Sequence, residues 1–285
     1  MRNGLARLAR EPRLAWWAVV KRLDRPGRRW LLSAPASLWV SASYRTPCLV
    51  YWRDGNWIHR YRGARIPHAG LGRAAPPSVF TAEARNLFLY EYTPQPGDVV
   101  FDVGAGIGAE TLLFSRLVGR SGRVVSLEAH PRTFERLVRL CNANGLANVT
   151  PLQVAAADVD GELTISDDQH LRNTVLEHDT GGIAVPARRL DSLAHDLGIE
   201  RVDLLKMNIE GAERLALAGL GELVARVRHV CISCHDFLAD ETGSDELRTK
   251  ALVRDFLLGH GFEVTTRDAA PEPWTKDYVY GAATR

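Results

Sequence analysis

The residues with the clearest chemical potential lie between Val99 and Glu110, in the run Val-Val-Phe-Asp-Val-Gly-Ala-Gly-Ile-Gly-Ala-Glu. Val99, Val100 and Phe101 predict a buried strand with Asp102 near its end. Gly104, Gly106 and Gly108 predict a turn with no side chains in the way, and residues 109–118 a helix with Leu112, Leu113, Phe114, Leu117 and Val118 on its apolar side. A strand, a glycine turn and a helix start form a nucleotide-binding hook, because a ligand can approach the backbone and meet exposed N–H donors. Gly104-x-Gly106-x-x-Ala109 fits the loose dinucleotide fingerprint, so NAD or FAD is one candidate ligand. Asp102, two positions before the first glycine, favours the other, S-adenosyl-L-methionine (SAM), where an acidic residue organises the loop near the cationic methionine end. Glu128, at the end of the next strand (Val124 to Leu127), can accept both ribose hydroxyls. The expected cofactor-binding residues are Asp102, Gly104, Gly106, Gly108, Glu110, Glu128, Ala156 and Asn208.

A second set could move a proton. Methyl transfer from a sulfonium is an in-line displacement, so the protein chiefly holds the acceptor oxygen in place. A weakly acidic hydroxyl is helped by a positioned base. His235, just after the strand Val227 to Ser233, is the first candidate, because an imidazole titrates near neutrality. Glu210 is the second, and Asp236 is expected to orient the imidazole. The plainer reading has Glu210 and Glu213 stabilising a helix N-terminus and His235 bonded to backbone. Cys231-Ile-Ser-Cys234-His235 matches the haem-attachment pattern, but it lies in an apolar strand, so its sulfurs read as core. No metal site is expected, since hard ions prefer more oxygen ligands than this set offers.

The elements that must position these residues alternate strand and helix from Gln95 onward, which predicts an α/β, doubly wound, mostly parallel sheet. Residues 131–144 predict a helix stopped by Gly145, residues 149–155 a third strand, and Ala156 the level of an adenine ring. Leu163 to Ile165 and Val175 to Val185 predict further β-structure, and Leu190 to Leu197 a short helix. Val202 to Met207 is the fourth strand and runs into Asn208-Ile-Glu210-Gly211. Ser244 is expected to cap a helix from Asp245 to Leu258. Phe262 to Thr266 and Tyr278 to Tyr280 close the sheet. Ligands of open α/β sheets sit at the carboxyl ends of the strands, where Asp102, Glu128, Ala156, Asn208 and His235 all fall. Before this domain (96–285) come a basic extension (1–45) and a hairpin cap with a linker helix (46–95). Cys48 to Trp52 and Asn56 to Tyr61 flank the turn Asp54-Gly55. Pro67 to Pro77 reads as a linker, and Thr81 to Tyr92 as a helix.

Composition narrows the classes. The chain has 285 residues, 46% hydrophobic and 25% charged, with a net charge of +2. No global basic field points to nucleic acid. Residues 1–30 nevertheless hold nine Arg/Lys against Glu11 and Asp24, a local +7. Residues 4–23 can form a helix with Leu5, Leu8, Trp16, Val19, Val20 and Leu23 among the basic residues, so peripheral membrane contact through this basic segment is one expectation. The longest early apolar run, Leu14 to Val20, is too short to span a bilayer and is a poor signal peptide, which predicts a cytoplasmic enzyme. Four cysteines in a chain of this size do not form a disulfide framework.

Phe101-Asp-Val-Gly-Ala-Gly-Ile-Gly, Glu128-Ala-His-Pro131, Leu190-Asp-Ser-Leu193 and Val202-Asp-Leu-Leu-Lys-Met-Asn-Ile-Glu-Gly-Ala-Glu213 together resemble the FkbM family of SAM-dependent methyltransferases. The resemblance runs from about Pro96 to Tyr280. It implies a class I methyltransferase fold of seven strands with the last antiparallel, and O-methylation of a sugar, glycolipid or polyketide-type hydroxyl, small or lipid-linked. Asn208 stands where the family usually has Asp, and Ser233 where it often has Glu. Both differences remove negative charge near the pocket. A SAM-binding protein without transferase activity and a nucleotide-dependent oxidoreductase are the alternative readings.

Overall fold

The computed structural model describes residues 20, 22–68, 70–72, 74–166, 182–236, 239, 243 and 245–284. Apart from Val20, Arg22 and Leu23, the expected basic helix over 4–23 lies outside them, as do most of the expected strand over 175–185 and the cap Ser244. The chain forms two compact units, Met1–Val79 and Phe80–Arg285.

The first unit is a helix on a small sheet. Helix α1 (Trp30–Tyr44) precedes three antiparallel strands, β1 (Leu49–Arg53), β2 (Asn56–Tyr61) and β3 (Ala64–His68), in that spatial order. The Asp54-Gly55 turn closes the first hairpin as expected, with Arg53 opposite Asn56. Two features differ from the sequence reading. Residues 64–68 form a third strand, which takes in Pro67 and His68 of the expected linker. Helix α1 had no counterpart, because its line of Ser, Ala and Trp residues carries no polar face. Leu32, Ala36 and Val40 of α1 are buried. Ser37 Oγ and Ser41 Oγ accept the backbone N–H groups of Val50 (2.8 Å) and Cys48 (2.9 Å), so α1 satisfies donors along the edge strand β1. Trp57 and Tyr61 are buried, and Trp57 meets Trp52 edge to face at 5.5 Å. Both pack in this unit's own interior.

The second unit begins within α2 (Pro77–Asn86), at Phe80. Its order is β4 (Val99–Val103), α3 (Ala109–Val118), β5 (Arg123–Leu127), α4 (Pro131–Asn144), β6 (Val149–Leu152), β7 (Ala155–Ala156), β8 (Gly161–Ile165), β9 (Ile183–Arg188), α5 (Leu190–Asp196), β10 (Val202–Met207), α6 (Glu213–Ala218), β11 (Val227–Ser233), α7 (Lys250–Gly259), β12 (Phe262–Thr266) and β13 (Tyr278–Ala283). Seven strands form one sheet in the order β12-β13-β11-β10-β4-β5-β6. All pairs are parallel except those made by β13, which runs antiparallel to both β11 and β12. This is the expected α/β, doubly wound, mostly parallel seven-stranded sheet. Strands β4 and β10, at its centre, are buried over nearly their whole length, as parallel strands covered on both faces must be.

Three details correct the sequence reading. The third strand is not continuous to Ala155: it stops at Leu152, and β7 leaves the main sheet to pair with β9 in a separate small sheet. The expected helix from Thr81 begins earlier, at Pro77. The last helix starts at Lys250, because Asp236 Oδ1, remote in sequence, accepts the N–H groups of Thr249 (2.8 Å) and Lys250 (3.0 Å) and supplies the cap there.

Two buried acids tie the sheet at opposite ends. At one end, Asp203 accepts Val99 N–H (2.9 Å) and pairs with Arg201 (2.8 Å) and Arg228 (3.3 Å). At the other, Asp102 on β4 pairs with Lys206 on β10 at 2.8 Å, both fully enclosed. Lys206 Nζ also donates to the Gly104 carbonyl (2.8 Å), and Thr111 Oγ1 donates to Asp102 Oδ2 (2.6 Å). Replacing Lys206 by Met keeps the volume and strands the Asp102 charge, so Lys206→Met is expected to cost about 3–5 kcal/mol in urea denaturation.

Candidate active site

The carboxyl ends of β4, β5, β10 and β11 meet at one edge of the sheet, and most of the expected site residues come with them. Gly104 and Ala105 donate their N–H groups to the Leu127 carbonyl (2.9 Å each), which folds the glycine turn over the end of β5. Gly104 has φ +74°, and a Cβ there would lie 2.0 Å from the Asn208 carbonyl oxygen. Glycine is therefore required for the approach of the β4 and β10 ends, not only for the turn. At Gly106, also with positive φ, a Cβ would meet nothing within 4 Å, so this part of the loop is open.

Glu128 reaches back to the loop. Its Oε2 accepts Gly106 N–H (2.9 Å) and its Oε1 accepts His130 N–H (2.9 Å). Two backbone donors thus fix the plane of the carboxylate, and each oxygen keeps a lone pair for a ligand hydroxyl. Burial pushes the Glu128 carboxyl up to about 7, against the lowering effect of the two N–H donors and of Lys206. Glu110, in the first turn of α3, is also raised. Burial is the main cause, Lys206 opposes it, and the Asp102 and Glu83 charges add to it. Asn208, at the end of β10, holds its place by donating its N–H to Val103 (3.0 Å), and its buried Oδ1 has no hydrogen-bond partner among the described residues. An open glycine turn, a fixed carboxylate at the next strand end and an unsatisfied amide oxygen beside them fit SAM. Ala156 is different. It belongs to β7, is 5% exposed and packs with Val154 and Leu190 in the core.

The candidate base is built by the chain reversal after β10. Glu210 has φ +52°, an uncommon conformation for a side-chain-bearing residue, and Gly211 follows at φ +97°. This turn brings Glu210 Oε1 to 3.5 Å from His235 Nε2. Glu213 lies 3.5 Å from the other ring nitrogen, Nδ1, and is wholly buried. Its remaining bonds come from Gly211 N–H (3.2 Å) and Thr249 Oγ1 (2.9 Å). Burial lowers the imidazolium pKa, but the Glu213 carboxylate beside Nδ1 and the charges of Glu210 and Asp277 outweigh it, so the net shift is upward.

The carboxylate beside His235 Nδ1 is thus Glu213. Asp236, expected to orient the imidazole, turns its oxygen to the start of α7 instead. Its Oδ1 is taken up by the Thr249 and Lys250 N–H groups, so sequence adjacency to His235 was misleading. Lys206, Thr111 and Thr249 were not among the expected site residues. A lysine set among Leu204, Leu205 and Met207 in a strand was the signal for the first. Cys231 and Cys234 are buried, with thiol pKa values driven up by burial, which makes them packing residues.

The Methyltransferase FkbM domain profile matches residues 102–264, which include the glycine turn, Glu128, the Lys206–Glu213 block and His235. The chain belongs to the FkbM methyltransferase family. SAM is the cofactor of this domain. The AMB antimetabolite synthetase AmbE of Pseudomonas aeruginosa is 42% identical over 84 residues, covering 29% of this chain and 4% of that protein. The 2-O-methyltransferase NoeI of Sinorhizobium fredii is 24% identical over 185 residues, covering 58% of this chain and 74% of that protein. The share of these relatives' lengths that is matched therefore runs from a small fraction to about three quarters. The crystal structure of methyltransferase FkbM from Methylobacillus flagellatus KT superposes with a TM-score of 0.48 at 18% identity, covering 72% of this chain and 50% of that one. Among the described residues no helix is long and apolar enough to cross a membrane.

Glu128 is neutral below about pH 7 and ionised above it. Calorimetric titration with S-adenosylhomocysteine is expected to show affinity falling as the pH drops through that value. Glu128→Gln should weaken binding roughly 10- to 100-fold at pH 8, the worth of hydrogen bonds to a charged acceptor, and abolish the pH dependence.

Proposed function

We propose that this protein is a SAM-dependent O-methyltransferase that acts on a hydroxyl of a sugar, glycolipid or polyketide-type small molecule, with His235 as the base. The observation that carries this reading is the His235 imidazole held between Glu210 and Glu213 at the strand ends that also present the glycine turn. The likeness to NoeI, by name a 2-O-methyltransferase, supports oxygen as the acceptor atom.

When bound, SAM supplies a methyl group already activated by its sulfonium charge. The chain's part is to hold and deprotonate. Glu128, the Gly104–Gly108 turn and Asn208 hold the cofactor, and the Asp102–Lys206 pair fixes the turn from beneath. Glu213, on the Nδ1 side, favours the tautomer that leaves Nε2 basic. His235 Nε2 would take the hydroxyl proton of the acceptor, whose oxygen would receive the methyl group that SAM would supply. The resulting imidazolium lies between two carboxylates, which offset its charge.

Because His235 is raised, it keeps its proton to higher pH than a free imidazole and is inactive as a base while protonated. The ratio kcat/KM is expected to rise with pH through an apparent pKa above that of a free imidazole. Glu213→Gln removes a charge that raises that pKa, so its profile should shift to lower pH while kcat falls. His235→Asn should lower kcat about 10²- to 10⁴-fold, the usual worth of a general base, with affinity for S-adenosylhomocysteine unchanged.

The acceptor class is tested by mass spectrometry of reactions with methyl-deuterated SAM and a panel of glycosides, glycolipids, polyketide alcohols and amines. Label in an ether methyl group is the expected outcome. Label in an amine, or binding of S-adenosylhomocysteine with no transfer to any hydroxyl, would sink the proposal.

A further inference from the structure

We infer that helix α1 is a docking surface for an anionic lipid bilayer. The fifteen residues of α1 include no charged side chain. One line of the helix faces inward: Leu32, Ala36 and Val40 are at most 1% exposed. The opposite line consists of Trp30, Ala34 and Leu38, four residues apart and hence stacked along one face. Trp30 is 72% exposed and Leu38 73%, and Leu31 beside them is 42% exposed. This unpaired apolar face is contiguous, unlike the singly scattered exposed residues of an ordinary surface.

Charge identifies the occupant. Arg22, Arg25 and Arg28, just before the helix, are all exposed. Arg29 is used internally, paired with Asp24 at 2.7 Å and stacked over Trp52. Residues 1–79 as a whole hold fifteen Lys/Arg against three Asp/Glu, a net +12, whereas residues 80–285 carry −10. A near-neutral chain thus divides into a strongly basic unit and an acidic one. An apolar face bounded by arginines suits lipid phosphates above and acyl chains below, with the Trp30 indole at the boundary. A nucleic acid would match the charge but gain nothing from Leu31 and Leu38. A second copy would bring +12 against +12. A helix of this length, about 22 Å at 1.5 Å per residue, lies in the interface rather than crossing it.

The test is co-sedimentation of the full chain with sucrose-loaded vesicles of phosphatidylcholine alone or with a quarter phosphatidylglycerol. Partition into the anionic vesicles is expected to exceed that into neutral ones by roughly tenfold or more and to weaken with added salt. Trp30→Ser/Leu38→Ser, both exposed, should reduce partition by about tenfold with Tm unchanged. Arg25→Glu/Arg28→Glu should do the same without touching the apolar face. No preference for anionic vesicles, partition indifferent to either double substitution, or a concentration-dependent dimer that Trp30→Ser/Leu38→Ser dissolves would each overturn the inference.

Discussion

The Asp102–Lys206 pair is the constraint on which the catalytic end of the sheet depends. Two full charges lie inside the protein, and neither is tolerable there without the other. They bridge β4 and β10, the adjacent central strands. Lys206 carries the tie onward to the Gly104 carbonyl, and Asp102 carries it to Thr111 on α3. One interaction therefore sets the height of the glycine turn, the start of the following helix and the exit of β10. That exit leads to Asn208, Glu210 and Glu213. Cofactor loop and base support are two ends of the same tether.

A division of labour follows among the acids. Asp102 and Asp203 are structural, buried against cations at opposite ends of the sheet. Glu128 is held by two N–H donors, which leaves its oxygens placed to accept hydrogen bonds from a ligand. Glu210 and Glu213 flank the two ring nitrogens of His235. Asp236 spends its charge on the start of α7. Six carboxylates of similar intrinsic acidity receive four tasks from their surroundings alone.

The parallel sheet was legible because its strands are apolar runs bounded by glycines and turn residues. Strands β10 and β11 and helices α3 and α4 fall where hydrophobic pattern and stop signals put them. The pattern was silent at α1, where Ser, Ala and Pro35 alternate with Trp and Leu and give no periodic polar face. It misled at Ala155, since small apolar residues fit either a main-sheet strand or the start of another sheet. In the site, the places of the glycine turn and Glu128 at neighbouring strand ends were readable because they follow from local spacing. Glu213, Thr249 and the cap by Asp236 were not, because each is a contact across many residues that only the folded chain creates.

The serines of α1 have a consequence for association. By accepting the Cys48 and Val50 N–H groups, Ser41 and Ser37 remove β1 as a template for strand addition. A partner that adds a strand is locked into one register. Along this edge, α1 leaves side-chain contact as the means of adhesion, and such contact permits sliding. Whatever meets this edge is therefore met by side chains rather than by backbone.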